Sequence, residues 1–260
     1  MGLKPYIIAE IGSNWDTLKD CFEQIKFAKE CGASAVKFQL YTHQEMYGYA
    51  GSMEGELPRE WVFLIKAFCD SLQIDFMCSA FSLEGYKFIN PLVKIHKIAS
   101  CESEWRELTN LVHDFGKPFL ISNGGKSQWQ LTTNYGPNTI FMDCVAAYPA
   151  KIDDYRLVSC TSGEKRGLSD HTLGSDLAII AVGAGYTYFE KHFNGAEILG
   201  KPDYSVSIGK NAFSEYCREI NLAHKVMTQG FKYIEDERDI IDYSKRRWVG
   251  MYQGCYRTKK

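Results

Sequence analysis

Short apolar runs in this sequence repeatedly end in polar side chains of the kinds that bind anions, metals and aldehydes. Glu10 closes YIIAE, Lys37 and Gln39 lie in AVKFQ, Ser79 follows FMC, and Lys97, Ser100 and Glu102 fall at or just past KIAS. Ser122 ends FLIS, Ser169 and His171 lie in LSDH, and Glu190 and His192 lie in YFEKH. Residues two apart on a strand share a face, so Lys37 pairs with Gln39, Ser169 with His171 and Glu190 with His192. Two imidazoles from neighbouring strands, His171 and His192, could reach one divalent ion. Imidazole suits Mn, Fe, Co or Zn and leaves positions for water and substrate. Lys37 and Lys97 supply positive charge, and Ser79, Ser100, Ser122 and Ser169 supply short hydroxyl donors. That set matches a small polyanion such as a phosphorylated acid, with phosphate and carboxylate held separately. Gly124-Gly125 would let backbone N–H groups approach an anion as well. One such charge alone reads as a satisfied structural group. Many at one place read as function, because buried charges cost several kcal/mol each unless paired or used.

These side chains meet only if short strands deliver them to one end of a sheet. The spacing supplies such strands at Tyr6 to Ile11, Ala35 to Gln39, Asp75 to Cys78, Val93 to Ala99, Pro118 to Ser122, Thr139 to Val145, Arg166 to Ser169 and Tyr186 to His192. Leu18, Cys21, Phe22, Ile25, Ala28 and Cys31 recur at the period of a helix with one buried face, which Gly32 closes. Further helices are expected at about Glu60 to Leu72, Leu83 to Asn90, Glu104 to Phe115, Ser127 to Leu131, Asp153 to Cys160, Ser175 to Gly183 and Phe213 to Thr228. Strict alternation of eight such units implies an α/β protein, a (β/α)₈ TIM barrel rather than an open sheet, with its active site at the C-terminal strand ends. Residues 1–230 are read as one barrel catalytic domain and 231–260 as a short C-terminal basic-aromatic extension. From Lys245 onward that extension has six basic residues, no acidic ones, and Trp248, Tyr252 and Tyr256 between them. It reads as a packed or oligomer-contacting segment rather than an RNA-binding one.

Composition removes other classes of function. Thirty basic against 32 acidic residues in 260 leave a net charge of −2, so no global field favours nucleic acid or an anionic membrane, and a small molecule is the default partner. No apolar run approaches the roughly 20 residues of a membrane span, and MGLKPYIIAE is too short in apolar length for a signal peptide, so a cytoplasmic protein is expected. Nine scattered cysteines without a Cys-x-x-Cys pair read as reduced, mostly buried thiols.

IIAEIGSNW, AVKFQ, FMCSAFSLEG, KIASCE, FLISNGG, GLSDHTLG, FEKHF and GKPD, in this order and at these intervals, resemble the sialic acid synthase (N-acetylneuraminate synthase) family over roughly residues 5–225. SDHTLG together with EKHF is the specific part. The resemblance implies a barrel that joins phosphoenolpyruvate to the open-chain aldehyde of an N-acetylated hexosamine and releases phosphate. By motif match, His171 and His192 would bind a divalent metal, Mn²⁺ foremost, with Mg²⁺ or Co²⁺ as alternatives. Lys37, Ser79, Lys97, Ser100, Ser122 and Ser169 would hold phosphoenolpyruvate, and Glu10, Gln39, Glu102, Tyr148 and Asp203 would face the sugar. Glu10, Lys37, Lys97, Glu102, His171 and His192 would be catalytic, with Glu10 or Glu102 as the proton shuttle. A homodimer is implied as well.

The chain departs from the family pattern in several places. Asn14-Trp15 stands for Asn-His, Cys78-Ser79-Ala80-Phe81 for Ser-Thr-Pro-Phe, and Ser100-Cys101-Glu102 for Ser-Gly-Glu. Asp143 to Pro149 replaces a His-Cys-Thr-Ser/Asn-x-Tyr-Pro pattern, placing Ala146 where a polar ligand is usual. Family members continue past an Arg-Arg segment, here Arg246-Arg247, into an antifreeze-like domain. This sequence ends about a dozen residues later, so the sugar-side contact of that domain is expected to be missing unless a separate polypeptide supplies it or the basic tail substitutes. Two other readings fit the same residues: a different metal-dependent aldolase or lyase reaction on this barrel, and a catalytically impaired binding subunit.

Overall fold

Beneath the polar strand ends lies an apolar plug, and the strand alternation explains it. Ile8, Ala35, Leu120 and Met142 pack inside the sheet, each two residues before a polar side chain of the same face: Glu10, Lys37, Ser122 and Cys144. The computed structural model describes residues 4–124, 136–161 and 163–229. Its eight parallel strands are β1 (Tyr6–Gly12), β2 (Ala35–Leu40), β3 (Asp75–Ala80), β4 (His96–Ile98), β5 (Phe119–Ser122), β6 (Thr139–Cys144), β7 (Arg166–Asp170) and β8 (Tyr188–His192). The helices are α1 (Leu18–Cys31), α2 (His43–Tyr47), α3 (Arg59–Ser71), α4 (Leu83–Ile89), α5 (Arg106–Asp114), α6 (Asp176–Gly183) and α7 (Lys210–Thr228). Strands pair in the order β3-β2-β1-β8-β7-β6-β5-β4, and the two ends are consecutive in the chain, which makes a nearly closed (β/α)₈ barrel. At the β3–β4 seam, side chains substitute for a ladder: the Ser79 hydroxyl at 3.2 Å and the Tyr86 hydroxyl at 2.7 Å donate to the Lys97 carbonyl.

A larger apolar core fills the space between sheet and helices. In α1, Cys21, Ile25, Ala28 and Cys31 supply the buried stripe, Thr17 caps the first turn in a reciprocal box with Asp20, and Gly32 closes the last at φ 97°. Among the described residues no helix is long and apolar enough to cross a membrane. The described cysteines are all free thiols. The compact unit that contains the barrel ends at Thr228. The expected helix at Ser127 to Leu131 and the extension 231–260 lie outside the described residues.

Two local expectations are corrected. β4 is only three residues: Val93, the expected first residue, gives its N–H to the Ile89 carbonyl at 3.2 Å and its carbonyl accepts from Lys117 at 2.8 Å. No helix spans 153–160; a single 3₁₀ turn covers Ile152–Asp154. The backbone there is claimed by other segments, with Val158 N–H on the Tyr186 hydroxyl at 3.3 Å and Cys160 N–H on the Ala184 carbonyl at 2.8 Å. The short α2 was not foreseen, although Thr42 and Glu45 form a capping box legible as Thr-x-x-Glu.

Core burial also gives the fold a pH dependence. His96 is buried, with Nε2 3.0 Å from Asn90 Oδ1, and desolvation followed by the Lys117 charge pushes its pKa down to about 4. The unfolded chain therefore binds the proton first. Stability from this group is fully present above about pH 6.5 and is lost as pH falls toward about 4, by about 3 kcal/mol. Urea unfolding across that range should show the slope, and His96→Gln should flatten it.

Candidate active site

The C-terminal strand ends open into a cavity of about 400 Å³ lined by Glu10, Lys37, Gln39, Lys97, Ser100, Ser122, Tyr148, Ser169, His171, Glu190, His192 and Asp203. Ala99, Cys101, Cys144, Ala146, Pro202 and Val206 complete its wall. Ser79 and Glu102 of the sequence-derived set do not line it. Ser79 lies beneath, accepting from Lys37 Nζ at 3.3 Å while its own proton goes to the Lys97 carbonyl. Glu102 is set back in the β4–α5 loop, where burial raises its pKa against the backbone N–H and lysine charges that lower it.

The floor is a chain of alternating charge. Lys37 Nζ lies 2.7 Å from Glu10 Oε2 and 3.8 Å from Glu190 Oε2, and Lys97 Nζ lies 3.2 Å from Glu190 Oε1. Glu10 is 1% exposed, Lys37 3%, Lys97 2% and Glu190 5%, so each depends on its neighbours rather than on water. Burial would raise the Glu190 carboxyl, but Lys37 and Lys97 together hold it down at about 2. Glu10 goes the other way: burial outweighs Lys37, and Glu190 adds repulsion, so its pKa is raised. Burial opposes the charge on Lys37, yet Glu10 and Glu190 hold its pKa above the ordinary lysine value. Around this floor stand hydroxyls. Ser169 donates to Glu190 Oε1 at 3.2 Å, Ser100 accepts from Gly124 N–H at 3.0 Å, and buried Ser122 Oγ has no hydrogen-bond partner among the described residues.

The two histidines stand on one side with ring centroids 5.7 Å apart. Desolvation, then the His192 charge, lowers the His171 pKa to about 4, so the ring is neutral. His171 Nδ1 lies 2.6 Å from the Val145 carbonyl, a contact that puts the proton on Nδ1 and leaves the Nε2 lone pair facing the Ser169 hydroxyl at 3.5 Å and the Cys144 thiol at 3.9 Å. His192 Nδ1 is buried and has no hydrogen-bond partner among the described residues. Two adjacent imidazoles bordering the cavity fit a divalent ion that keeps positions for substrate and water. Among the described residues no third His, Cys, Asp or Glu completes a protein-only metal cage. Tyr148 stacks on His171 with centroids 4.1 Å apart and meets His192 edge-on at 5.7 Å, so an aromatic wall borders the pair.

A family model described as the NeuB family matches residues 24–232. The chain belongs to the NeuB family. It is an enzyme of the sialic-acid-synthase type, a carbon–carbon bond-forming synthase. An uncharacterised protein of Methanocaldococcus jannaschii is 29% identical over 95% of this chain and 80% of its own length. Pseudaminic acid synthase of Campylobacter jejuni is 27% identical over 87% of this chain and 76% of that protein. The crystal structure of N-acetylneuraminic acid synthetase from Leptospira borgpetersenii superposes with a TM-score of 0.79 at 24% identity, covering 90% of this chain and 88% of that one.

Within this NeuB-family barrel, the departures noted in the sequence sort by the face they occupy. Trp15 turns into the core, donating Nε1–H to the Gly12 carbonyl at 3.0 Å and meeting Trp61 edge-on. Asp143 points outward and is held by Arg166 Nε at 3.0 Å, the Tyr186 hydroxyl and Asn123 Nδ2 at 3.3 Å. Val145 offers its carbonyl to His171. Ala146 and Cys101 do reach the cavity, so these two substitutions alter its wall. Two residues with a place in the site had no role assigned from the sequence. Glu190 was read only as a strand-end residue, although its position two before His192 put it on the same face. Tyr155 gave no signal from inside a supposed helix. Its hydroxyl donates to the Ser169 carbonyl at 3.0 Å and accepts from His171 N–H at 3.1 Å, fixing the end of β7.

On the opposite side Gln39 Nε2 donates to Glu10 Oε1 at 2.9 Å, and Asp203 Oδ2 accepts from Ser13 N–H at 2.8 Å. Gly12 makes the second contact possible. Its φ is +57°, and a Cβ there would stand 2.1 Å from Asp203 Oδ2. Gly12→Ala should therefore cost about 1–2 kcal/mol in backbone strain and push Asp203 off Ser13. The expected kinetic sign is a raised KM for the cosubstrate on the Asp203 side, with the KM of the anionic substrate unchanged.

Proposed function

We propose that this cavity condenses phosphoenolpyruvate with the aldehyde of an N-acetylated hexosamine or a similar aldose, giving a nonulosonic acid and phosphate. The observation that carries the reading is the buried Glu10–Lys37–Glu190–Lys97 chain beside the adjacent imidazoles of His171 and His192, in a barrel whose relative is named pseudaminic acid synthase. Lys37 and Lys97 offset the phosphate and carboxylate charge, and the Ser122 hydroxyl, without a partner among the described residues, is a donor for the same anion. Carbon 3 of phosphoenolpyruvate attacks the aldehyde carbon, water adds at carbon 2, and the bond from carbon 2 to the phosphate oxygen breaks. A divalent ion held by His171 and His192, Mn²⁺ in this reading, supplies Lewis-acid polarisation of the aldehyde. Glu10 lines the cavity with a raised pKa, so it is the better placed of the two candidate shuttles to protonate the oxygen that becomes a hydroxyl. Tyr148, Gln39 and Asp203 face the sugar.

The test is phosphate release from phosphoenolpyruvate with Mn²⁺ and a panel of N-acetylated and plain aldoses. Release is expected to require both the aldose and the divalent ion. Absence of aldose-dependent release with every sugar, together with no phosphoenolpyruvate binding by calorimetry, overturns the reading.

A further inference from the structure

Behind the two histidines, on the face of the sheet turned away from the cavity, lies a buried ion pair that the chemistry above does not use. In the β7–β8 register Asp170 is opposite Lys191. Each immediately precedes one of the histidines, and alternation sends the acid and the base outward while His171 and His192 face in. Asp170 Oδ2 lies 3.1 Å from Lys191 Nζ, with side-chain exposures of 0% and 2%. The contacts around this pair converge on the turn that carries His171. Asp170 Oδ1 accepts from Thr172 N–H at 2.9 Å and from the Thr172 hydroxyl at 2.7 Å. Lys191 donates to the Thr172 carbonyl and to the Gly174 carbonyl at 3.2 Å, and its ammonium lies over the Tyr216 ring of α7 at 5.4 Å from the centroid. One ammonium on the residue before His192 thus ties β8 to the backbone that follows His171.

We propose that Asp170 and Lys191 are a positioning pair that sets the separation and aim of His171 and His192, and so the affinity and geometry of the divalent ion these imidazoles hold. The inference rests on the metal reading of the site. A salt bridge needed only for stability would be as effective between any two strands. This one spans the two positions next to the histidines and gives two of its hydrogen bonds to carbonyls beyond one of them. Groups that orient metal ligands without touching the metal change affinity by about 10- to 100-fold when removed.

The experiment titrates the full chain, stripped by chelator, with Co²⁺ and reads the visible d–d absorption, beside circular dichroism melts. Lys191→Met and Asp170→Asn are each expected to weaken Co²⁺ binding by about ten-fold or more and to change the band positions while the protein stays folded. Asp170→Asn keeps an acceptor for Thr172 and decides the matter if Lys191→Met does not melt cooperatively. Arg166→Met serves as the control. It cuts the outward Asp143–Arg166 pair at the far end of β7, so it should lower the melting temperature and leave the Co²⁺ spectrum as in the wild type. Wild-type affinity and spectrum in the Asp170 and Lys191 variants, or an equal loss in Arg166→Met, would overturn the positioning role alone. Co²⁺ binding absent from the wild type, or unaffected by His171→Ala and His192→Ala, would overturn the metal reading and this inference with it.

Discussion

Replacing Glu190 by Gln is expected to lower the free energy of unfolding by about 3–5 kcal/mol. The size follows from position rather than from any single contact. Glu190 is the only carboxylate within ion-pair distance of Lys97 among the described residues, and the second one beside Lys37. The amide keeps the shape and the Ser169 hydrogen bond but leaves two ammonium groups in a floor with one carboxylate, and breaking one side of a buried pair strands the other. An anion should repair this. In the wild type, substrate phosphate competes with Glu190 for the same lysines; in the variant that competitor is gone. The stabilisation conferred by a fixed millimolar concentration of phosphoenolpyruvate should therefore be larger in Glu190→Gln than in the wild type. Binding to the native state alone adds RT ln(1 + [L]/Kd), about 2.7 kcal/mol at about one hundred times Kd. Guanidinium melts of both proteins, with and without phosphoenolpyruvate, measure both effects. Equal stability, or an equal gain on adding the anion, would show that Glu190 does not hold the lysines apart in this way.

The inward-facing half of the site was legible because period-two alternation is rigid: once β2, β7 and β8 are recognised, Lys37 with Gln39, Ser169 with His171 and Glu190 with His192 must share a face. The same rule shows that Asp170 and Lys191 point outward, yet not that they meet, since that depends on which strands are neighbours. Ser79 shares the inner face of Met77 without lining the cavity, because its hydroxyl is turned onto the Lys97 carbonyl across the β3–β4 seam. The segment 153–160 was misread for a related reason. Its backbone donors are satisfied by Tyr186 and Ala184, partners remote in sequence that no local pattern exposes. At Asp143, too, the motif comparison recorded a change of residue but not its face; Arg166 and Tyr186 show that the change is absorbed outside the barrel. The family resemblance supplied the chemistry, and the strand register decides which substitutions can touch it.

Lys37→Met should separate substrate binding from stability in one variant. The lysine gives its strongest contact to Glu10, 2.7 Å away, and loss of such a charge from an anion site costs about a hundred- to a thousand-fold in turnover. The protein has a second response. Glu10 is buried, and its pKa is already raised by desolvation against the pull of Lys37; without that pull it rises further. A carboxyl with a folded pKa above its unfolded value of about 4.5 binds its proton more readily when folded. Its stabilising contribution is complete below about pH 4.5 and is lost as pH rises through the folded value, opposite in sign to the His96 effect. Lys37→Met should therefore fall increasingly below the wild type in stability as pH climbs from about 5 to about 8. Adding Glu10→Gln, which leaves an acceptor for Gln39, should remove that slope and recover much of the stability at neutral pH. It should not restore phosphoenolpyruvate binding, because the cation that offset the phosphate is still absent. Recovery of both in the double variant would mean that Lys37 serves only to offset the charge of Glu10.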